Sequence, residues 1–181
     1  PQINGVVNTW KNLIKISKKN DMDIKVIHPF LFFNISWPFY KEIKIPMVRY
    51  KTVVNMIKHM NPDYIHIATE GILGWHARNY CIKNNYSFST SYHTKFPEFL
   101  YSLYWVPKVL TYNVIRNFHN SSESTLVNTS TMKKELISLK FTNLIEWTRG
   151  VDKEIFKPTF DKKIRNLICL LYTSPSPRDT N

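Results

Sequence analysis

Four short segments carry the residues best suited to chemistry. Ser89 to Pro97 reads S-T-S-Y-H-T-K-F-P and sets His93 and Thr94 among hydroxyls and Lys95. An imidazole changes charge near neutrality and can give or take a hydrogen bond, so a histidine ending a strand suits ligand contact or proton transfer. A lone histidine is more often a packing residue, but this density of small polar groups is unusual for a core, and both readings stand. Tyr64 to Gly74 (Y-I-H-I-A-T-E-G-I-L-G) puts Glu70 after a β-branched run and before a helix. A carboxylate there can act as a base or hold a substrate hydroxyl. It equally favours the positive end of the helix that follows.

The other two segments point to anions. Pro1 to Val7 (P-Q-I-N-G-V-V) leads from Asn4 and Gly5 into a helical pattern, where backbone N–H groups and the helix dipole suit a diphosphate. One glycine before a helix also serves as plain turn chemistry. Trp147 to Pro158 (W-T-R-G-V-D-K-E-I-F-K-P) places Arg149 after a strand, either as a clamp for phosphate or carboxylate or as a surface residue beside a turn. His28, His59, His66, His76 and His119 show no metal-ligand spacing and read as structural, so no metal is expected.

Elements that alternate between strand and helix position these segments. Val7, Trp10, Leu13, Ile14 and Ile16 form one face of a helix from Asn8. Asp23–His28 reads as a strand, Phe30–Tyr40 as a packed aromatic loop, and Glu42–Pro46 as a second strand. A helix over Val48–Met60 ends at the turn Asn61-Pro62-Asp63. Strands follow at Tyr64–Thr69, Ser87–Tyr92, Ser124–Asn128 and Asn143–Trp147. Between them fall helices at Gly74–Asn84, Pro97–His119 (one or two) and Thr131–Leu139. Such alternation means βαβ units, hence a Rossmann-like parallel α/β sheet with helices on both faces, and ligands at the carboxyl ends of the strands.

Composition narrows the class. The chain has 181 residues, 43% of them hydrophobic, enough for one α/β domain with a core. No stretch is long and apolar enough to span a bilayer, and residue 1 is Pro, with no signal peptide after it. Two cysteines, Cys81 and Cys169, make neither a disulfide framework nor a zinc site, so a reducing cytoplasm is the expected compartment. The net charge of +12 is spread along the chain without an Arg-rich run, and it suits phosphate-bearing substrates or an anionic membrane face. Cys169 to Asp179 (C-L-L-Y-T-S-P-S-P-R-D) looks like a translated sequencing adapter, which places the end of natural sequence at Ile168.

Taken together and in order, the four segments resemble the N-terminal domain of glycosyltransferase family 4. The nearest likeness is to bacterial α-mannosyltransferases and sulfoquinovosyl- or glycosyl-diacylglycerol synthases. P-Q-I-N-G-V-V, I-H-I-A-T-E-G-x-L-G, T-S-Y-H-T-K-F-P-E and R-G-V-D-x-x-x-F-x-P carry it, from Pro1 to about Pro158. The resemblance implies a two-domain GT-B enzyme that transfers a mannose- or glucose-like sugar from a nucleotide-sugar donor, with retention and without metal or other cofactor. The acceptor would be a lipid or glycan. It implies that Asn4 and Gly5 face the donor diphosphate, that His93 lies in the active centre with Glu70, and that Thr94 and Arg149 line the acceptor side. Residues 1–163 would form the acceptor-side domain without its first strand, and 164–168 the start of the donor domain. The remainder, 169–181, would be adapter. A chain holding one wall of an interdomain cleft would be inactive alone.

Other classes fit less well. A nicotinamide-dependent oxidoreductase needs G-x-G-x-x-G, and the four glycines at 5, 71, 74 and 150 do not make one. A nucleic-acid-binding module would rest on charge alone, without a reading motif, so nucleic acid is not an expected partner. A GT-B sugar epimerase shares the implied fold, but the T-E-G and S-Y-H-T segments favour a transferase. Phe30–Lys44 and Phe96–His119 are aromatic and basic, which suits either core packing or a place on the cytoplasmic face of the plasma membrane.

Overall fold

The computed structural model describes residues 5–37 and 40–148, all within one compact unit, Pro1–Arg149. Asn4, Arg149 and everything expected of 150–181, the start of the donor domain and the adapter tail included, lie outside the described residues.

Helix α1 (Gly5–Ser17) opens the described chain. A short 3-10 turn at Pro29–Leu31 precedes an antiparallel hairpin of β1 (Asn34–Trp37) and β2 (Tyr40–Pro46). Then follow α2 (Tyr50–Met60), β3 (Ile65–Ile67), α3 (Ile72–Lys83), β4 (Phe88–Tyr92), α4 (Phe96–Tyr104) and α5 (Lys108–Asn120). β5 (Ser124–Val127), α6 (Ser130–Ser138) and β6 (Leu144–Glu146) complete the order. Strands β3 to β6 form one parallel sheet in sequence order, as the alternating pattern predicts.

Local chemistry sets several boundaries. Asn61 closes α2 in the left-handed region (φ 43°), where asparagine is tolerated better than most residues, and Pro62 follows it. Thr129 caps α6, its Oγ1 accepting from the Met132 N–H at 3.2 Å. The aromatic run after Pro97 divides into two helices because Trp105 turns left-handed (φ 56°) and Pro107 caps the next helix.

Two expectations are corrected around residue 30. Asp23–His28, expected as a strand, has no regular structure: no described strand runs beside it to take its backbone hydrogen bonds, and an isolated strand is not stable in water. Ile27 still packs against the core. Part of Phe30–Tyr40, expected as a loop, is β1, because pairing with β2 (Asn34 opposite Pro46, Ile35 opposite Ile45) satisfies its backbone.

Alternation along the strands sorts side chains to two faces. Ile67, Phe88, Thr90, Tyr92, Thr125 and Val127 share one face, against which α2, α3, α5 and α6 pack in two adjoining clusters. One holds Val53, Ile57, Ile67, Cys81, Phe88 and Phe118; the other holds Tyr92, Ile115, Val127, Leu136, Phe141 and Leu144. α1 covers the opposite face, its Trp10 ring 4.8 Å from His66.

Close approach of α3 to β3 explains one glycine. A Cβ on Gly74 would stand far inside contact distance of the Thr69 carbonyl oxygen and 3.1 Å from the Ile67 Cγ2. Arg78, one turn on, is buried without a carboxylate partner among the described residues. Its guanidinium donates to the Phe118 and Asn117 carbonyls (3.3 and 3.0 Å) and to Ser121 Oγ (2.9 Å), and lies 5.0 Å over the Trp75 ring. It thereby satisfies carbonyls that the end of α5 leaves without helical partners. Burial holds its pKa below the ordinary guanidinium value.

Candidate active site at the carboxyl edge of the sheet

β4 is the polar strand of the sheet, and it is wholly buried. Its central S-T-S is satisfied by one histidine on each face. On the α1 side, His66 of β3 stands opposite Ser89 in register, its Nδ1 2.7 Å from Ser89 Oγ and its Nε2 2.9 Å from Ser91 Oγ. On the other side, His119 of α5 is fully buried, with Nδ1 2.8 Å from Thr90 Oγ1. Thr90 Oγ1 is in turn 2.9 Å from Thr125 Oγ1, its neighbour across β5.

These histidines differ in what they reach. Burial, with the charge of His93 added, pushes His66 down to about 4, so its ring is neutral at neutral pH. One of its serine partners then donates and the other accepts. His119 instead ends on Glu70, its Nε2 3.0 Å from Oε1. A carboxylate only accepts, so His119 Nε2 carries the hydrogen; in the neutral ring Nδ1 then accepts from the Thr90 hydroxyl. A buried chain of contacts thus runs from Thr125 through Thr90 and His119 to a carboxylate at the end of β3.

The predicted residues divide accordingly. Glu70 lies just before Gly71, the N-cap of α3, and its side chain is 14% exposed. It combines both readings, since it stands at a helix N-terminus and at the carboxyl edge of the sheet. His93 follows β4 directly and is half-buried; alternation carries it to the His66 side, and its charge acts on His66. Thr94 is exposed at the same edge, with its carbonyl accepting from the Phe96 N–H at 2.8 Å. Gly5 is the first residue of α1. Asn4 and Arg149 lie outside the described residues.

Neighbouring contacts fix this edge. Lys95 Nζ is 2.6 Å from each carboxylate oxygen of Glu135, which ties the His93–Lys95 segment to α6. Tyr112 donates to Glu98 Oε1 at 2.6 Å, joining α5 to α4. Burial first raises Tyr92 and Tyr112 above the usual phenol range, with Tyr112 and Glu98 adding to it at Tyr92 and Glu98 at Tyr112, so both stay protonated. Among the described residues no three His, Cys, Asp or Glu side chains stand together as a metal site.

Spacing alone makes His66 and His119 structural residues. They are buried, but His119 also supplies the partner of Glu70, from 49 residues away. No local pattern announces that contact. Ser89 and Ser91 on one face of β4 and Thr90 on the other signal that this strand needs polar partners on both.

The sequence profile of Glycosyltransferase Family 4 matches residues 3–155. The chain is similar to the sulfoquinovosyl transferase of Arabidopsis thaliana, 28% identical over 128 residues, covering 68% of this chain and 25% of that protein. It is also similar to the GDP-mannose-dependent alpha-mannosyltransferase of Corynebacterium glutamicum, 25% identical over 182 aligned positions, covering 87% of this chain and 42% of that protein. The chain thus spans less than half the length of either relative. No solved structure matches it significantly.

Proposed function

The chain belongs to glycosyltransferase family 4, and from that premise we propose that it forms the acceptor-side half of a retaining hexosyltransferase. The full protein would move a mannose- or glucose-like unit from a nucleotide sugar to a lipid or glycan acceptor, without a metal. The names of the two relatives, one a sulfoquinovosyl and one a mannosyl transferase, support a sugar donor.

The observation that carries the reading is His93 at the carboxyl end of β4, where parallel α/β sheets bind their ligands. In a retaining transfer, charge develops on the sugar and on the leaving diphosphate. An imidazole held there can hydrogen-bond a sugar hydroxyl near the reacting carbon, more strongly in the transition state than before it. Glu70, held by His119, would orient a second hydroxyl or take its proton. Thr94 and Arg149 would contact the acceptor, and Asn4 with Gly5 would face the diphosphate at the start of α1. This half alone would not turn over, since the other wall of the cleft is needed. A GT-B epimerase shares the fold, but no observation favours it over transfer.

The test is His93→Ala in the full-length protein, assayed with radiolabelled nucleotide sugar. kcat/KM should fall roughly a hundredfold with the fold intact. Near-normal turnover would return His93 to the packing residues. We place the enzyme at the cytoplasmic face of a membrane, as a peripheral protein, because the net charge of +12 spread along the chain suits an anionic membrane face.

A further inference from the structure

We infer that the corner between α4 and α5 is a docking surface for an anionic lipid bilayer. Trp105 ends α4 at φ 56°, a left-handed conformation costly for a bulky residue, and at 79% exposure it is the most exposed large apolar side chain among the described residues. Pro107 then caps α5, whose first turn carries Val109 and Leu110, 72% and 59% exposed.

Helix geometry shows that this exposure is confined to one end. Thr111, Tyr112, Ile115, Phe118 and His119 form the buried stripe of α5. On the opposite stripe the exposed Val109 and Leu110 come first, Asn113 and Val114 follow side by side, and Asn117 completes it. A solvated helix face carries polar groups along its length. Here the apolar groups gather at the corner and give way to amides one to two turns away, as a shallowly inserted tip requires.

Charge selects the occupant. Tyr101 packs on Trp105, ring centroids 5.9 Å apart, and Lys108 Nζ lies 5.2 Å over the Tyr101 ring. From Phe99 to Ser122 the sequence has no Asp or Glu, while Lys108 and Arg116 are present and the chain carries a net +12. Apolar side chains would enter the interface, Tyr and Trp would sit at headgroup depth, and Lys108 would reach lipid phosphate. A second copy would meet this corner with its own Lys108 and Arg116, which disfavours self-association.

The corner takes its purpose from the proposed lipid acceptor, but its binding is measured without sugar transfer. Loss of one reading therefore leaves the other testable. The experiment is flotation of this chain with vesicles of phosphatidylglycerol and phosphatidylcholine in equal parts, beside vesicles of phosphatidylcholine alone. Binding should favour the anionic vesicles, weaken with added salt, and bring quenching of tryptophan fluorescence by brominated acyl chains. Trp105→Phe should keep most of the binding and lose most of the quenching. Trp105→Ser with Val109→Ser should weaken binding roughly a hundredfold, about tenfold for each side chain removed from the bilayer, and Ile137→Ser on α6 should leave it unchanged. Full binding by a folded double-serine variant, equal binding to both vesicles, or no binding by the unaltered chain would each overturn the inference. So would self-association that the double variant abolishes.

Discussion

Acidification should weaken this domain through one side chain, His66. Its ring lies between Ser89 Oγ and Ser91 Oγ at 2.7 and 2.9 Å, beneath Trp10, and the positive charge of His93 opposes protonation further. Burial is the larger cause, and together they lower the pKa from 6.5 to about 4. Between these values the unfolded chain takes up a proton that the native state refuses, so stability falls as pH falls through that window. Below about 4 both states are protonated and the loss from this group is complete. At 1.36 kcal/mol per pH unit the loss amounts to roughly 3 kcal/mol. A domain of ordinary stability has only about 5–15 kcal/mol in all.

Urea unfolding measured from about pH 7 to about pH 4 gives the total pH dependence. His66→Gln separates the His66 share, because glutamine keeps hydrogen-bonding capacity between the two serines and does not titrate. The unaltered chain should lose roughly 3 kcal/mol more than the variant over this range. Parallel stability curves would show that His66 takes its proton in the folded state and would refute the reasoning.

Three further outcomes follow from the packing. Gly74→Ala should destabilise by roughly 1–3 kcal/mol in urea unfolding, since its Cβ meets backbone that cannot move away; an unchanged midpoint would mean that α3 shifts freely over β3. Arg78→Ala should cost roughly 2–4 kcal/mol, because the Phe118 and Asn117 carbonyls at the end of α5 lose their donor; a loss under about 0.5 kcal/mol, the surface-residue range, would deny it that role. A double-mutant cycle of Glu70→Gln and His119→Asn should return a coupling of roughly 1–3 kcal/mol, as befits a partly buried hydrogen bond to a carboxylate. Additive effects would show that the pair does not interact.

Periodicity was sufficient for most of the architecture. The apolar spacing of Val7 to Ile16 made α1 legible, the β-branched runs around Ile65 and Leu126 marked buried parallel strands, and Asn61-Pro62 marked the end of α2. These signals are local, since helix and strand periods and turn chemistry act over a few residues. The same locality explains the errors. Whether 23–28 is a strand depends on a neighbour to pair with, and β1 exists because β2 lies alongside it.

The candidate site shows the division most clearly. The sequence by itself determined that Glu70, His93 and Thr94 follow strands, because strand and helix alternate around them. Only the tertiary structure decided their surroundings. Register set His66 across two serines of β4, and the packing of α5 on the opposite face brought His119 to Thr90 and Glu70. Those contacts are made by residues distant in the chain, and burial, which pushes His66 down to about 4, exists only once the layers close. Residue type fixes which chemistry a side chain can do; the dielectric and the partners that the folded layers supply fix which of it occurs.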